Sequence, residues 1–431
     1  MKKNIGFYPG DILIPKENLR PRFSVVACDQ FTAQPDYWQE TAALAEGHPS
    51  AYHMIFPEAL LEELDFGQKV ASIQETTRWY LEGGIFDRCP DSFIYLERTL
   101  RSGQVRKGLL GVLDLECYDY KPNSRSLTRA TEGTVLDRIP PRVKIREGAF
   151  LEMPHIMLLV DDPDCTVVEP FAERKAEMPC CYDFDLMMGG GHLAGWQADG
   201  SRYREGVSAA LAKLADSAAF NKRVGTSRKS PILFAVGDGN HSAAAAKACW
   251  EAIKPALSPE EIACHPARWM LVEVCNLHDE SLAFEPVHRA LFGIDHKLFL
   301  KELTAWAAIA PKAPKADAKK KVSKKQSFTL LMDGKAKKII IHSPSHSLTV
   351  GSVQVFLDSF LEKYGGSIDY IHGSDVLEKL CSEGAAGILL PAMEKSELFR
   401  TVAVEGALPR KTFSMGEAWD KRYYLECREI R

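Results

Sequence analysis

A buried strand that runs directly into a glycine turn is the sequence feature that most restricts how this chain folds. The apolar run 232–236 has the length of a strand, and Gly237 and Gly239 let the backbone turn sharply after it. A helix is predicted from about 242 to 253, and another buried strand is predicted at 269–274. This succession of strand, helix and strand predicts an α+β fold of mixed α/β type, built on one sheet.

The rest of the chain carries the same mixture of elements. Strands are predicted at 23–27, 93–96, 109–115, 328–332 and 338–342, and helices at 60–81 and 352–364. Because 431 residues exceed the usual size of one hydrophobic core, we expect several units. We divide the chain into an N-terminal αβ segment, a central αβ segment, a lysine-rich linker or loop and a C-terminal αβ subdomain, at 1–150, 151–310, 311–327 and 328–431.

Composition and charge argue against several classes of protein. The net charge is −4, which gives no electrostatic reason for a nucleic-acid partner. The apolar runs have strand length, far below the roughly 20 residues of a membrane helix, and the first residues lack a signal-peptide pattern. Eleven cysteines without a repeated close pair fit a reducing compartment. We therefore expect a cytoplasmic protein that binds neither membrane nor nucleic acid, and its oligomeric state stays open.

The glycine turn also collects side chains that can do chemistry. The free amides at a helix start form an anion-binding site in principle. A carboxylate, an amide, an imidazole and a hydroxyl stand beside them, at Asp238, Asn240, His241 and Ser242. This set suits phosphate contact, metal binding and acid or base catalysis. A structural turn with a polar N-cap has the same spacing, so both interpretations remain open.

A second group of charged residues lies between Arg129 and Arg146. Five cations are interleaved there with two carboxylates and two threonines. Pro140 and Pro141 argue against one continuous helix. A loop and strand that present arginine to phosphate have this composition. A salt-bridged surface strand has it as well, so the sequence leaves both alternatives open.

Four smaller clusters are less specific. Residues 285–289 could form a catalytic dyad or a helix start with a satisfied histidine, and residues 409–412 could clamp an anion or form a solvated basic turn. The run 152–155 is typical of a packed histidine beside a strand, and the glycine-rich run 189–192 is typical of a mobile loop.

Six motifs, taken in order, resemble those of the bacterial and archaeal family known as domain of unknown function 1015. They are RPRFSVVACDQ at 20–30, LLGVLDLE at 109–116, RATEGT at 129–134, VGDGNHS at 236–242, FEPVHR at 284–289 and LPRKTF at 408–413. The likeness covers nearly the whole chain. The joint order of the motifs is specific, although each motif alone is not.

The resemblance implies a fold and an activity. The commoner family turn reads ADGHHR, which is similar to the DGHHR signature of free serine kinases. Those enzymes have a ParB/sulfiredoxin-like core of sheet and helices. The resemblance therefore implies such a core here, with additional αβ subdomains. It implies phosphotransfer between L-serine and O-phospho-L-serine, with pyrophosphate, ADP or ATP as the phosphate donor. This chain departs from the commoner turn at Asn240 and Ser242, which stand where that turn has a histidine and an arginine. Loss of the arginine removes a phosphate contact.

The resemblance also implies roles for individual residues. At the turn, side chains would face the transferred phosphoryl group from Asp238, Asn240 and His241, and backbone or hydroxyl contacts would come from Gly237, Gly239 and Ser242. Glu132 and Thr134 correspond to a family glutamate and threonine, and Arg129 stands where this branch differs. Further substrate or phosphate contacts would come from His288, Arg289, Lys411 and Thr412.

We therefore predict a serine kinase, a small-molecule phosphotransferase that acts on an alcohol group. A primary alcohol is a poor nucleophile, so Glu132 or Asp238 is predicted to accept its proton. The cations predicted to stabilise charge on the phosphoryl oxygens are Arg129, Arg146 and Lys411. Mg²⁺ is the predicted cofactor, held partly by Asp238.

Two other classes of function remain as alternatives. A ParB-like nucleic-acid-binding regulator would use the same turn to contact phosphates, although the acidic balance argues against it. A sulfiredoxin-like redox enzyme would need a reactive cysteine beside the turn, and Cys249 lies about two helical turns further along.

Overall fold

A computed structural model of the protein describes residues 4–32, 34–61, 65–121, 124–133, 139–153, 156–228, 230–309 and 325–431. Its helices are α1 Arg20–Phe23, α2 Pro35–Ala45, α3 Phe66–Glu82, α4 Ile139–Glu147, α5 Glu169–Glu173, α6 Ser201–Leu214, α7 Ser217–Val224, α8 Asn240–Ile253, α9 Pro259–Cys264, α10 His296–Ala307, α11 Thr349–Tyr364, α12 Ser374–Ser382 and α13 Glu397–Glu405. Its strands are β1 Phe7–Tyr8, β2 Gly10–Pro15, β3 Val25–Val26, β4 Phe86–Thr99, β5 Val105–Asp114, β6 Tyr118–Asp119, β7 Thr128–Ala130, β8 Leu151–Glu152, β9 Met157–Val160, β10 Cys180–Asp185, β11 His192–Ala198, β12 Phe234–Asp238, β13 Trp269–Asn276, β14 Phe284–Phe292, β15 Gln326–Met332, β16 Lys335–Ile341, β17 Ser367–His372, β18 Ala386–Leu389, β19 Phe413–Met415, β20 Tyr423–Tyr424 and β21 Arg428–Glu429. Within these ranges, every helix is too short or too polar to cross a bilayer.

The chain divides into two compact units. The first comprises Met1–Leu282 together with Met415–Arg431, and the second comprises Ala283–Ser414. These units differ from the predicted segments 1–150 and 151–310, because strands from both segments pair in one sheet of the first unit. Most of the predicted lysine-rich linker at 311–327 lies outside the described residues, which resume at 325.

The first unit is built on a large mixed sheet. Its strands follow the order β10, β11, β4, β5, β13, β9, β12, β7, β6, with β1 paired to β5 and β2 paired to β4. The strand β12 runs antiparallel to β9 and parallel to β7. The strands β9 and β13 also run parallel to each other. The α+β class predicted from the sequence is confirmed.

The central strands of this sheet are buried on both faces. Because side chains alternate along a strand, Phe93 and Tyr95 of β4 belong to one apolar cluster, whereas Ile94 and Leu96 belong to another. The first cluster includes Trp250 of α8, and the second includes residues of α2 and α3. Apolar packing on one face of this sheet therefore holds α8 in place.

Two short ladders join the end of the chain to earlier residues of the first unit. The strand β20 pairs antiparallel with β3, so that Tyr423 lies opposite Val26 and Tyr424 opposite Val25. The strand β21 pairs antiparallel with β8. The first ladder brings the residues just before Tyr423 to the end of β3.

The second unit has a smaller sheet of its own. Its strands follow the order β16, β15, β18, β14, β17, and β19 pairs with β14. The helices α10 and α11 pack together through aromatic rings, with the Phe299 centroid 5.0 Å from Phe360 and 6.0 Å from Phe356. The buried strand β14 carries two of the predicted site residues.

Most of the predicted elements are present with shifted ends. The strand predicted at 232–236 is β12, and the following helix starts at Asn240, two residues earlier than predicted. The predicted helix 60–81 corresponds to α3, which starts at Phe66. The strand predicted at 23–27 is reduced to Val25–Val26 because α1 extends to Phe23.

Two local predictions are wrong, and the prediction of a loop at 189–192 fails at one residue. As predicted, the run 129–146 does not form one continuous helix. Its second half nevertheless forms α4, where the sequence predicted a loop or strand. Helix formation is possible because Pro140 and Pro141 stand in the first turn of α4, where the backbone amides make no hydrogen bonds within the helix. Residues 285–289 lie in the strand β14, not at a helix start. His192 belongs to the strand β11 rather than to a loop.

Candidate active site

The turn between β12 and α8 is shaped by two glycines with different tasks. Gly239 has φ 78°, in the left-handed region that glycine adopts without strain. A Cβ on Gly237 would lie 2.8 Å from Cγ of Leu159, so close packing excludes a side chain there. Gly239 is also the N-cap of α8 and has no side chain to cap the first amides. The start of this 14-residue helix can therefore bind an anion.

Asp238 occupies the last position of β12, directly before the turn. Its Oδ1 accepts a hydrogen bond of 2.9 Å from the amide of Gly239. Its Oδ2 lies 3.2 Å from Nζ of Lys421, and the side chains of Asp238 and Lys421 are 21% and 11% exposed. The carboxylate is thus held by the turn on one side and by a cation from the end of the chain on the other.

Asn240 is buried and joins the turn to the neighbouring strand. Its Oδ1 accepts from the amide of Thr131 at 3.2 Å, and its Nδ2 lies 3.4 Å from the carbonyl oxygen of Val236. The hydroxyl of Thr131 donates to the same carbonyl at 2.6 Å. These bonds give Asn240 a structural task. His241 and Ser242, the next two residues of α8, are half-buried.

The parallel pairing of β7 with β12 brings Glu132 toward Asp238. Thr128 pairs with Phe234 and Ala130 with Val236, so both strands end at the same edge of the sheet. Glu132 follows two residues after β7 and is half-buried. Thr134, another predicted site residue, lies outside the described residues.

Arg129 is buried in β7 and bonds to backbone carbonyl groups. Its Nε donates to the carbonyl of Ser126 at 2.9 Å, and its Nη2 donates to that of Ser230 at 3.0 Å. Burial, followed by the charge of Arg228, lowers the pKa of Arg129 to about 10. These contacts favour a structural task for Arg129 in holding two loops.

A cavity of about 160 Å³ lies beside the first turn of α8. Its wall includes Ser242, Arg142 and Arg146 among mostly apolar side chains. Arg142 forms an ion pair with Glu58, which lines the same cavity. The cavity therefore has arginines and a serine hydroxyl close to the start of α8.

Arg146 has a partly used guanidinium group in this wall. Its Nη1 forms an ion pair of 2.6 Å with Oε2 of Glu152, although the contact is not aligned as a hydrogen bond. Its buried Nη2 has no acceptor among the described residues. Burial raises the pKa of Glu152, but Arg146 and Arg428 outweigh it and hold that pKa below its ordinary value. The wall thus carries a buried carboxylate and an available donor.

The predicted site residues of the second unit have different surroundings. His288 is 5% exposed and accepts at Nδ1 from the amide of Leu390 at 3.1 Å. Arg289 is fully buried and donates from Nε to Gln354 Oε1 at 2.9 Å and from Nη1 to the carbonyl of Val287 at 2.8 Å. Its guanidinium also lies 4.5 Å from the ring centre of Tyr370. Both residues serve the packing of their own unit.

The last two predicted residues lie in one turn of the second unit. Lys411 is exposed, with a positive φ of 55°, and its carbonyl accepts from Nη1 of Arg289 at 3.1 Å. Thr412 is buried, and its hydroxyl donates to the carbonyl of Pro409 at 2.6 Å. Arg289 therefore organises this turn through backbone contacts.

Comparison with known proteins identifies the family of the chain. Residues 13–360 match the model of DUF1015, described as a protein of unknown function. The protein belongs to the DUF1015 family. No curated protein matches the sequence.

Solved structures show distant similarity to this DUF1015 protein. A free serine kinase variant in complex with ADP has 10% identity and a TM-score of 0.39, covering 77% of this chain and 95% of its own. A conserved hypothetical protein from Pyrococcus furiosus has 11% identity and a TM-score of 0.36, covering 74% and 94%. SbnI with a C-terminal truncation, from Staphylococcus aureus, has 10% identity and a TM-score of 0.35, covering 72% and 82%.

Two cysteines of this DUF1015 protein, one in α8 and one lining the cavity, are poorly suited to redox chemistry. Cys249 of α8 is buried, and burial raises the pKa of its thiol. Cys28 lines the cavity, and burial, followed by the charge of Asp29, raises the pKa of its thiol to about 12. Since the thiolate is the reactive form, neither thiol is activated, which argues against the sulfiredoxin-like alternative.

Sequence reasoning did not place Lys421 beside the glycine turn of this DUF1015 protein. Lys421 precedes the short strand β20, far along the chain from Asp238, and no spacing rule relates the two positions. The only sequence signal is a Lys-Arg pair before an apolar run at the end of the chain. The pairing of β20 with β3 is what brings this lysine to the turn.

Proposed function

We propose that this protein is a phosphotransferase that interconverts L-serine and O-phospho-L-serine, with pyrophosphate, ADP or ATP as the phosphate donor. The observation that supports the proposal most is the position of Asp238. It directly precedes Gly239, the N-cap of α8, and the start of this helix lies beside a cavity lined by Ser242 and Arg146. A phosphate and a small polar acceptor can be held there side by side.

The phosphate donor is proposed to bind at the start of α8. The uncapped amides and the helix dipole favour a negatively charged group, and the hydroxyl of Ser242 adds a donor. Because Gly239 lacks a side chain, phosphate oxygens can approach the backbone closely.

The amino acid is proposed to bind in the adjoining cavity. Its carboxylate suits the available Nη2 of Arg146, and a planar guanidinium binds carboxylates well. Its ammonium group suits Glu152 or Glu58, which line the same wall. Both ends of a free amino acid then have partners of opposite charge, while the small volume excludes large substrates.

The chemical step transfers one phosphoryl group. The serine oxygen forms a bond to phosphorus while the bond from phosphorus to the bridging oxygen of the donor breaks. A carboxylate accepts the hydroxyl proton, and the donor leaves as phosphate, AMP or ADP. Asp238 and Glu132 are the two candidates for this base, since β12 and β7 end at the same edge of the sheet.

Magnesium fits this site in one restricted way. The described residues contain no group of three or more metal-binding side chains, and Lys421 already contacts Oδ2 of Asp238. Mg²⁺ is commonly bound by one or two carboxylates together with substrate phosphates. Asp238 would therefore hold a Mg²⁺ ion that arrives on the donor, and the ion would neutralise charge on the phosphoryl oxygens.

A screen by ³¹P NMR tests the proposal. L-serine is incubated with ATP, ADP or pyrophosphate, and O-phospho-L-serine is incubated with AMP, ADP or phosphate, each with Mg²⁺. We expect a phosphoserine signal to grow or to decay with at least one partner, and to do neither with Asp238→Asn. Absence of any exchange in both directions contradicts the proposal, and a salt-dependent shift of duplex DNA would support the ParB-like alternative instead.

A further inference from the structure

The ion pair between Lys421 and Asp238 points to a catalytic cation that no motif contains. The turn at 237–242 has no lysine or arginine of its own. Lys421 supplies a positive charge there from the end of the chain, with Nζ 3.2 Å from Oδ2 of Asp238. The pair therefore places a cation directly beside the helix start.

The backbone around Lys421 holds the lysine in place. The preceding residues form a short helical turn, Ala418–Asp420, closed by reciprocal bonds between Glu417 and Asp420. The following residue, Arg422, accepts a hydrogen bond of 3.0 Å at its carbonyl from the amide of Ala27. The backbone of Lys421 is therefore fixed on both sides, and its side chain, 11% exposed, is held by the ion pair with Asp238.

The chemistry of the ammonium group suits a phosphate. It has three donor hydrogens, so one ammonium group can contact Asp238 and a phosphate oxygen together. Two other cations near the turn have different surroundings, since Arg129 binds two backbone carbonyls and Arg146 lines the cavity proposed for the amino acid.

We propose that Lys421 binds the phosphate donor at the glycine turn and neutralises charge on the transferred phosphoryl group. The inference rests on the proposed function, because it assigns a further catalytic residue to that site. Before the donor binds, the ammonium group of Lys421 contacts the carboxylate of Asp238. Once the donor binds, the ammonium group of Lys421 contacts both that carboxylate and a phosphate oxygen. This arrangement keeps two partly buried charges paired in both states.

Pyrophosphate binding measured by calorimetry in EDTA tests Lys421 without metal or turnover. Lys421→Met should weaken binding about 10- to 100-fold, as expected for the loss of a charge-assisted contact. Lys421→Arg should retain most of the affinity. Lys175→Met is the matched control, because Lys175 pairs with Glu97 at 2.9 Å elsewhere in the same unit and should leave binding unchanged.

Lys421→Met removes the cation that pairs with Asp238. If this loss impairs folding, a double variant provides a second test. Asp238→Asn alone removes a negative charge and should bind pyrophosphate at least as tightly as the wild type. Adding Lys421→Met to it should then weaken binding about 10-fold or more. Equal affinity of Asp238→Asn and the double variant overturns the role of Lys421.

The outcomes separate this inference from the proposed function. A wild-type protein that binds pyrophosphate through Lys421 but never exchanges phosphoserine contradicts the function and leaves the lysine site standing. A wild-type protein that exchanges phosphoserine, with affinity unchanged by Lys421→Met, overturns the lysine site alone. A wild-type protein that neither binds nor exchanges overturns both.

Discussion

The two units use the same kinds of side chain in opposite ways. At the glycine turn of the first unit, Asp238 and Lys421 form a charge pair next to uncapped helix amides. In the second unit, Arg289 is fully buried and donates to Gln354 and to backbone carbonyls, beside a buried His288. A buried charge that bonds to backbone carbonyls and a side-chain amide contributes to stability, whereas a charge pair at a helix start stands where an anion can bind. We therefore expect substitutions at the glycine turn to reduce activity, and substitution of Arg289 to reduce the stability of the second unit.

The largest expected effect is loss of turnover in Asp238→Asn. The change keeps the shape of the side chain but removes the charge that accepts a proton or holds the metal. Turnover should fall by roughly 10² or more, far more than any loss of stability explains, because the oxygen of asparagine can still accept the bonds from Gly239 and Lys421. Initial rates by ³¹P NMR and thermal unfolding of the same samples measure both quantities.

The matched control for Asp238 is a plain helix cap in the same unit. Asp216 caps α7 by accepting from the amides of Ala218 and Ala219 at 3.0 and 2.9 Å. Asp216→Ala should cost about 1 kcal/mol of stability and leave turnover unchanged. If Asp238→Asn behaves like this control, the turn is a structural cap and the distinction between the units fails.

The next largest effect is a loss of stability in Arg289→Met, a variant of the second unit. Methionine retains much of the apolar packing but leaves the oxygen of Gln354 and several carbonyls without their donor. The free energy of unfolding in urea should fall by about 2–3 kcal/mol. Turnover per folded molecule should stay close to the wild-type value.

Arg410→Met is the control for Arg289, because Arg410 also lies over the ring of Tyr370 but is exposed. It should change stability by much less. If Arg289→Met keeps its stability and weakens binding of O-phosphoserine, then the phosphate contact implied by the family resemblance is correct and the buried network is not its main task.

The sequence predicted the local part of the candidate site and did not predict its long-range part. The strand, the glycine turn and the helix are contiguous, so apolar periodicity and glycine chemistry were sufficient to locate Asp238 and Ser242. Lys421 depends on the pairing of β20 with β3, which no local pattern encodes. The sequence also did not show which arginines are buried. Arg129, for example, donates to a backbone carbonyl, and nothing in the run of charged residues distinguishes it from an exposed arginine.

A smaller effect is expected for Ser242→Ala, which tests how much the hydroxyl adds to the helix amides. The backbone donors remain, so donor affinity should weaken only about 2- to 10-fold, with little change in stability. Ser201→Ala is the control, because Ser201 also lies in the first turn of a helix whose N-cap is a glycine of positive φ, although it stands directly after that glycine at the start of α6. Equal effects in the two variants would show that Ser242 does not contact the donor.

The smallest effects concern pH, where one histidine in each unit should act with opposite sign. Partial burial lowers the pKa of His192, but the carboxylates of Asp185 and Asp183, at 2.7 and 2.6 Å from its ring nitrogens, outweigh it and raise that pKa. Burial, followed by the charge of Arg289, lowers the pKa of His288.

The signs follow from which state of the protein binds more protons. Between the unfolded pKa of about 6.5 and the higher folded pKa of His192, the native state is the more protonated, so its contribution to stability is lost as pH rises through that window. For His288 the unfolded state is the more protonated below about pH 6.5, so stability is lost as pH falls toward the lower folded pKa. Urea unfolding at pH 5.5, 6.5 and 8 should therefore show that His192→Gln flattens the alkaline side of the stability curve, whereas His288→Gln flattens the acidic side. If both variants flatten the same side, the surroundings of these two histidines are not as different as the contacts of the two units indicate.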